Sequence, residues 1–314
     1  MTIVLLIASV ILISLYGILM AGLLKGWRNL RRKGIHEANL FPSVSVLIAY
    51  RNEELNLPDL LKNLSLQKYP SDKLEFVFVN DHSRDKGYDA ISQLSKILPG
   101  TFLHLNNPEG KQGKKAALML GAQACHGDII LLTDADCQLQ TRWIDTMTKS
   151  FTDQNIQMIQ GPVLIHPAIS SIGHLQQIEF LSLMMSAAGS RGIQHPILAS
   201  GANLAVRRQS YLKGTEHLKE QINTGDDMFL LEYFKRINKG TIAFQDNQEA
   251  IVRTTSIDSV AKLWNQRKRW TSKSTKYSDP EIIGTAILVF LVNLLIPISL
   301  IYGFWNPTCL ILIP

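Results

Sequence analysis

Two long apolar segments enclose a region of mixed polarity. Residues 3–24 and 282–305 contain no charged side chain, and each exceeds the about 20 apolar residues that cross a bilayer core. Basic residues follow the first segment and none precedes it, which differs from a cleaved signal peptide. We predict a transmembrane helix at each end, the first an uncleaved anchor.

Between these segments, short apolar runs alternate with helical patterns. The runs are "VSVLIA" (44–49), "LEFVFVN" (74–80), "TFLHL" (101–105) and "IILLT" (129–133). Predicted helices cover 57–66, 88–98 and 114–124, and further helices lie near 172–187 and from about Asp226. Apolar strands that alternate with helices indicate an α/β fold, with a mostly parallel sheet covered on both faces. Such sheets bind ligands beyond the carboxyl ends of their strands.

The predicted organisation has four parts. These are a transmembrane helix at 1–25, a basic linker at 26–40, a cytosolic domain at 41–278 and a membrane region at 279–314. A turn signal at Asn306-Pro307 precedes the apolar run "TCLILIP". We therefore expect one full span at this end and the start of another, as in a truncated chain.

Charge and cysteine content narrow the setting. Basic collars follow the first apolar segment and precede the second, and such an excess marks the cytoplasmic side of a membrane. The collars account for much of the net charge of +6. A nucleic-acid partner is therefore not needed to explain this charge, and we expect none. Three cysteines without metal-like spacing suit a reducing compartment. We expect an integral protein of a bacterial cytoplasmic membrane, in contact with lipid, with its catalytic domain in the cytosol.

Acidic residues follow the predicted strands. Asp134 and Asp136 are two residues apart, so in an extended segment both carboxylates face one side, where Mg²⁺ or Mn²⁺ could bind with substrate phosphates. A solvated turn is the alternative. Asp81 ends the second strand and could contact a nucleobase or ribose, or cap a helix. Lys114 stands where a glycine-containing loop enters a helix and could hold phosphate, although the Walker pattern is incomplete.

Two further segments carry candidate chemistry. Asp226 and Asp227 open a helix, where they could interact with the macrodipole or supply a general base; the sequence does not rank these roles. In "VAKLWNQRKRW", Gln266, Arg269 and Trp270 share a helical face. The intervening Arg267 and Lys268 are expected to face water or lipid headgroups. The Leu/Met stripe in 172–187 is interpreted as core rather than as an acceptor channel or membrane interface.

In this order, the motifs resemble the membrane-embedded branch of the family-2 glycosyltransferases, which includes polysaccharide synthases and ceramide glucosyltransferases. The resemblance covers about residues 42–270 and seven motifs, namely "AYRNEE", "VNDHSRD", "GKKAAL", "DADC", "SGANLAVRR", "TGDD" and "QRKRW". It implies a GT-A fold, Mg²⁺ or Mn²⁺, a nucleotide-diphosphate sugar donor such as a UDP-sugar, and inversion at the anomeric carbon. The acceptor would be a lipid or a growing polysaccharide.

The resemblance also implies residue roles. Asp134 and Asp136 match the metal and diphosphate motif, Asp227 the base, and Asp226 its alternative. Gln266, Arg269 and Trp270 match the QxxRW motif. The matches to the donor site are Ala49, Tyr50, Asn52, Glu53, Asp81 and Lys114. This chain has Ala49 in place of the usual proline. It also has Gly-Asp-Asp in place of the common Thr-Glu-Asp, so both Asp227 and Asp226 stay open as the base.

Two other classes of function compete with this prediction. A catalytically inactive nucleotide-sugar-binding scaffold would need none of the carboxylates, yet all are present. A nucleotidyltransferase would use similar metal carboxylates but has no reason to contain QxxRW. The sugar, the linkage and the acceptor are left open by the sequence.

Overall fold

The computed structural model describes residues 2–32, 41–168, 170–216 and 226–303. Ten α-helices and nine β-strands lie in these ranges. The strands are β1 (Val44–Tyr50), β2 (Leu74–Asn80), β3 (Thr101–Asn106), β4 (Ile129–Thr133), β5 (Met158–Gln160), β6 (Val163–Ile165), β7 (Asn203–Arg207), β8 (Ile242–Phe244) and β9 (Val252–Thr254). The helices are α1 (Thr2–Arg32), α2 (Leu57–Ser65), α3 (Gly87–Leu94), α4 (Lys114–Ala124), α5 (Trp143–Thr148), α6 (Ser171–Gly192), α7 (Arg208–Glu216), α8 (Asp226–Asn238), α9 (Val260–Ser274) and α10 (Pro280–Gly303).

Seven strands form one sheet in the order β3-β2-β1-β4-β7-β5-β8, and β6 pairs with β9 in a second, two-stranded sheet. Within the large sheet, β7 runs antiparallel to both β4 and β5, and the other pairs are parallel. The predicted α/β class with a mostly parallel sheet is confirmed. The predicted runs at 44–49, 74–80, 101–105 and 129–133 correspond to β1 to β4.

Helices cover both faces of the sheet because alternate strand residues point to opposite sides. On one face, Val46 and Ile48 of β1 pack in a core that includes α2 and α5. On the other face, Leu47 packs in a core that includes α4 and α8. A Cβ at Gly121 of α4 would lie 2.2 Å from Leu47 Cδ1, so this helix sits on the sheet at a distance that only glycine permits.

The predicted helix at 88–98 is too long at its carboxyl end. Helix α3 ends at Leu94, and Ser95–Ile97 form a separate 3₁₀ turn. Leu98 precedes a proline and is extended, with φ −73° and ψ 135°, because proline disfavours the helical conformation in the residue before it. Gly100 then turns the chain at φ +101°, where a Cβ would lie 2.3 Å from Leu74 O.

The two terminal helices flank the domain. Stretches of α1 (Leu6–Leu30) and α10 (Pro280–Ile301) are long and apolar enough to span a membrane, by length and composition. Helix α1 continues beyond the predicted boundary at residue 25 and ends at Arg32. The expected start of a further span after Trp305 lies outside the described residues.

Helix α1 packs against α6 through glycines on both helices. A Cβ at Gly26 would lie 1.9 Å from Gly189 O, one at Gly192 would lie 1.9 Å from Gly26 O, and one at Gly189 would lie 2.4 Å from Leu23 O. Small residues permit such close backbone contact between helices. We call Gly26, Gly189 and Gly192 the glycine seam.

The apolar stripe of α6 is not simply core. Met184 is buried, but Leu175, Ile178 and Leu181 are 68%, 68% and 52% exposed. The interpretation of this stripe as core was therefore wrong for its amino-terminal half. The reason is that the buried side of this helix is lined by small and polar residues, among them Gly173 and Gln176.

Candidate active site

The candidate site lies at the carboxyl ends of the central strands. Tyr50 of β1 pairs with Asn80 of β2, and Asn80 pairs with Asn106 of β3. The residues that follow these strands therefore emerge at one edge of the sheet. On the other side of β1, Thr133 of β4 pairs with Asn203 of β7. Because β7 is antiparallel, the segment after β4 meets the segment before β7 at this same edge.

Asp81 anchors the loop that leads to α4. It is 4% exposed, and its Oδ1 accepts hydrogen bonds from Asn107 Nδ2 at 2.9 Å and from Gly113 N at 3.0 Å. Its Oδ2 also accepts from Gly113 N at 3.0 Å and lies 3.8 Å from Arg51 Nη1. A buried carboxylate needs such donors because its charge is costly to desolvate.

The same loop delivers Lys114 to the acidic motif. Gly113 adopts φ +101°, a conformation that residues with a Cβ rarely take, and Lys114 is the first residue of α4. Its ammonium forms an ion pair with Asp134. Both side chains are partly exposed, at 43% and 34%, so the pair faces the solvent-accessible space beyond this edge of the sheet, which we call the cleft. The structure thus joins Asp81, Lys114 and Asp134 at one edge of the sheet.

Asp136 and Glu53 form the acidic wall of this cleft. Asp136 Oδ2 accepts a hydrogen bond from Thr254 Oγ1 at 2.9 Å, and Glu53 accepts one from Asn56 Nδ2 at 2.7 Å. Burial, and then the negative charge of Asp134, raise the pKa of Asp136. Burial raises the pKa of Glu53 too, with further contributions from Asp136 and Asp134. The negative charge of Asp134 therefore disfavours the ionised forms of both Asp136 and Glu53.

The other residues that were predicted to bind the sugar donor are Ala49, Tyr50 and Asn52, and their described contacts are with the core and with neighbouring loops. Ala49 lies within β1 and packs against the core. Tyr50 is 2% exposed, and its hydroxyl is 2.7 Å from His104 Nε2. Asn52 has φ +57°; its N–H donates to Ser83 Oγ and its Oδ1 accepts from Arg84 N. Asn52 therefore joins the loop after β1 to the loop after β2.

Asp227 reaches the site through the segment before β7. Its Oδ2 accepts a hydrogen bond from Gly201 N at 3.0 Å, and its Oδ1 accepts one from Met228 N at 2.9 Å. Gly201 is two residues before Asn203, which pairs with Thr133. The carboxylate of Asp227 thus lies at the sheet edge that also carries Asp134. Asp226 is the first residue of α8, and its side chain lies outside the described residues.

Gln266, Arg269 and Trp270 lie on α9, which follows β9. Gln266 is half-buried, and its Oε1 is enclosed without a hydrogen-bond donor among the described residues. Arg269 is exposed. Trp270 is half-buried, with its ring centroid 6.0 Å from that of Phe180. The described contacts of these three side chains do not include the carboxylates of the cleft.

The expected orientation of Arg267 was wrong. Its guanidinium forms an ion pair with Glu179 of α6 and lies 4.5 Å from the ring centroid of Trp270. Residues three apart share a helical face, which brings Arg267 to Trp270. Lys268 is exposed, as expected.

Several contacts of the site were missed by the sequence analysis. Thr254 holds Asp136 from a distance of 118 residues along the chain, and Gly201 holds Asp227. Gly201 lies in the motif "SGANLAVRR" (200–208), which could have pointed to it. Nothing near Thr254 in the sequence marks it.

A solved structure with the same architecture shows the fold type of this chain. The mannosyltransferase PcManGT from Pyrobaculum calidifontis, solved in complex with GDP-Man and Mn²⁺, is 20% identical, with a TM-score of 0.61 over 97% of this chain and 85% of that chain. This likeness shows the fold, which is GT-A.

The family follows from the sequence match. The family described as "Glycosyl transferase family 2" matches residues 45–214, which is more than half of the 314 residues. The chain belongs to glycosyl transferase family 2.

Curated relatives agree with this family. A probable glycosyltransferase of Bacillus subtilis, YdaM, is 27% identical over 73% of this chain and 54% of its own length. A beta-monoglucosyldiacylglycerol synthase of Nostoc sp. is 26% identical over 73% of this chain and 48% of its own length. The chain spans about half the length of these relatives.

Proposed function

We propose that this protein is an inverting, metal-dependent glycosyltransferase of the QxxRW branch. It would move a sugar from a nucleotide-diphosphate sugar, expected to be a UDP-sugar, to a lipid or polysaccharide at the cytoplasmic face of a membrane. One observation carries the proposal: Asp81, Lys114, the two aspartates of the "DAD" motif and Asp227 meet at a single edge of the sheet. Lys114, Asp134 and Asp136 would activate the sugar donor there, and Asp227 would deprotonate the acceptor.

The cleft suits a divalent cation. Burial and the negative charge of Asp134 raise the pKa values of Asp136 and Glu53, and a bound cation would offset this negative charge. In the part of the chain that the structure describes, no group of three or more His, Cys, Asp or Glu side chains is arranged to hold a metal. Mg²⁺ needs only one or two carboxylates when phosphates supply further ligands, so Asp134 and Asp136 would hold Mg²⁺ or Mn²⁺ together with the donor diphosphate. Such an ion supplies charge neutralisation at the leaving group.

The residues of the chain supply the other half of the chemistry. The acceptor hydroxyl oxygen would attack the anomeric carbon from the side opposite the diphosphate. As that bond forms, the bond from carbon to the diphosphate oxygen breaks and the nucleoside diphosphate leaves with the electron pair. Asp227 would take the hydroxyl proton. Gly201 N and Met228 N orient its carboxylate, and carboxylates of this kind act as general bases when a hydroxyl comes within hydrogen-bond reach.

Lys114 and Arg269 would stabilise the charge that develops on the diphosphate. Lys114 faces the cleft beside Asp134, and Arg269 carries an exposed guanidinium that can bind phosphate through two hydrogen bonds. Trp270 and Gln266 would form the acceptor side. Removal of one group that stabilises transition-state charge costs about 100- to 1,000-fold in rate.

The membrane assignment is supported by the two terminal helices and their basic collars. The Nostoc relative is named as a synthase of monoglucosyldiacylglycerol, which favours a lipid acceptor for the present chain. A catalytically inactive scaffold that binds a nucleotide sugar is the second candidate.

A screen of radiolabelled nucleotide sugars separates these candidates. Membranes that contain the full chain are incubated with each donor and Mn²⁺, extracted with organic solvent and chromatographed. We expect the label in the solvent phase for a lipid product, or retained at the origin for a polymer. Membranes carrying Lys114→Ala serve as the matched control. Donor binding without incorporation in any fraction would support the scaffold and contradict the enzyme.

A further inference from the structure

Helix α9 is attached to α6 at two places. At the first, Gln176 of α6 is 2% exposed, and both its amide nitrogen and its amide oxygen form hydrogen bonds with the backbone of Ile257, which precedes α9. Its Nε2 donates to Ile257 O at 2.7 Å, and its Oε1 accepts from Ile257 N at 3.1 Å. A buried amide with both ends satisfied fixes the backbone that it holds, so the chain enters α9 from a defined point on α6.

The second attachment lies at the tryptophan. Glu179 and Phe180 are consecutive residues of α6. Each contacts a residue of α9: Glu179 contacts Arg267, and Phe180 contacts Trp270. Glu179 forms an ion pair with Arg267, whose side chain is 26% exposed. Phe180 lies 6.0 Å from Trp270, ring centroid to ring centroid. The guanidinium carbon of Arg267 is 4.5 Å from the Trp270 ring centroid, within the distance at which a cation and an aromatic face attract.

Arg267 differs in this respect from the next cation in the chain. Lys268 is exposed, and its ammonium is 5.7 Å from the ring centroid of Trp264, which is 62% exposed. Helix α9 therefore carries two pairs of a cation and a tryptophan on different sides. One pair is held against α6 by a carboxylate, and the other faces outward.

We infer that Arg267, held by Glu179, is a positioning residue that sets the orientation of the Trp270 indole. The guanidinium is planar and can pair with the carboxylate while it stacks on the indole. The Glu179 carboxylate fixes the guanidinium, and the guanidinium limits the rotation of the ring. This inference rests on the proposed function where it concerns catalysis, because Trp270 is assigned there to the acceptor side.

Two readouts test the inference in full-length protein. The first is the fluorescence of Trp270, obtained by subtracting the spectrum of Trp270→Phe in each background, with its quenching by acrylamide. We expect Glu179→Gln and Arg267→Gln each to increase the quenching of Trp270. Lys268→Gln removes the same charge from the neighbouring position and is expected to leave the quenching unchanged.

The second readout is sugar incorporation from the radiolabelled donor in membranes. We expect Arg267→Gln and Glu179→Gln to lower the maximal rate about 10-fold, since a displacement of about 1 Å can cost about 10²-fold. The half-saturating donor concentration should not change, because the donor side does not include Trp270. In a Trp270→Ala background, Arg267→Gln should cause no additional loss, because residues that act through one another are not additive.

Each outcome bears on a different statement. Equal effects of Arg267→Gln and Lys268→Gln on quenching would overturn the positioning role. Additive losses with Trp270→Ala would show that Arg267 does not act through the indole. If wild-type membranes transfer no sugar, the proposed function fails, whereas the fluorescence still decides whether Arg267 and Glu179 set the indole.

Discussion

The glycine seam between α1 and α6 predicts a large difference between two substitutions on the same helix. In Gly26→Ala the new Cβ would lie 1.9 Å from Gly189 O, whereas Gly17 has nothing within 4 Å of its Cβ position. Real Cβ atoms essentially never come within 3.0 Å of a heavy atom outside their own covalent neighbourhood. The helices must therefore move apart by at least 3.0 Å less 1.9 Å, or 1.1 Å. A gap of about 0.5–1 Å already forfeits a quarter to a half of the dispersion energy between atoms.

The expected cost follows from this displacement. Overpacking of a tight contact costs about 1–3 kcal/mol, and the better helix propensity of alanine returns at most about 1 kcal/mol. In Gly17→Ala the new Cβ meets no atom within 4 Å, so only the gain in helix propensity remains. We expect Gly26→Ala to unfold at a temperature several degrees below that of Gly17→Ala, since about 1 kcal/mol corresponds to about 2–4 °C in a domain of about 150–250 residues.

The assay is thermal unfolding of the full chain in one detergent. Gly192→Ala, whose Cβ would meet Gly26 O at 1.9 Å, should behave like Gly26→Ala, because it opens the same contact from the other helix. Equal unfolding temperatures for Gly26→Ala and Gly17→Ala would refute the close packing of α1 on α6.

The remaining predictions concern the half-buried His104, the buried amide of Asn203 and the divalent cation. Burial lowers the pKa of His104 from its ordinary value of 6.5, so below that pH the unfolded chain binds a proton that the folded chain does not. The free energy of unfolding should fall as the pH drops from about 7 through the lowered pKa, and denaturation of His104→Gln should show a smaller fall; an unchanged pH dependence would contradict this. Asn203 accepts a hydrogen bond from Trp143 and donates to two backbone carbonyls. Asn203→Ala should therefore cost about 3 kcal/mol or more, because each unsatisfied buried group costs about 1–3 kcal/mol, whereas denaturation of the exposed-site control Asn155→Ala should show little change. Chelation with EDTA should abolish transfer, and Mn²⁺ or Mg²⁺ should restore it; full activity in EDTA would rule out a metal-dependent reaction.

The local pattern of the sequence predicted the part of the fold that local geometry determines. The apolar runs at β1 to β4 have the length and composition of buried parallel strands, and α4 was predicted with its observed bounds at Lys114–Ala124. The carboxyl ends of parallel strands meet at one edge, so Asp81 and Asp134 could be expected there before the structure was known.

Contacts between distant segments could not be predicted in this way. Thr254 lies on β9, which pairs with β6, and its neighbour Arg253 forms an isolated β-bridge with Gln138. These pairings bring Thr254 to Asp136. No periodicity in the sequence encodes them. The side of α9 that faces α6 likewise depends on how the two helices cross, which helical spacing alone does not determine.

The central claim is that Asp227 accepts the proton of the acceptor hydroxyl. Asp227→Asn keeps the shape of the side chain and one oxygen that can accept from Gly201 N, replaces the oxygen that accepts from Met228 N by an amide nitrogen, and removes the basic group. Asp226→Asn, at the adjacent position, is the matched control.

The direct test is sugar incorporation measured beside donor binding in wild type and both variants. We predict that Asp227→Asn binds the nucleotide sugar like wild type and transfers at least about 100-fold more slowly, since a positioned general base contributes about 10²–10⁴-fold. Asp226→Asn should retain most of the transfer. Robust incorporation by Asp227→Asn would contradict the account.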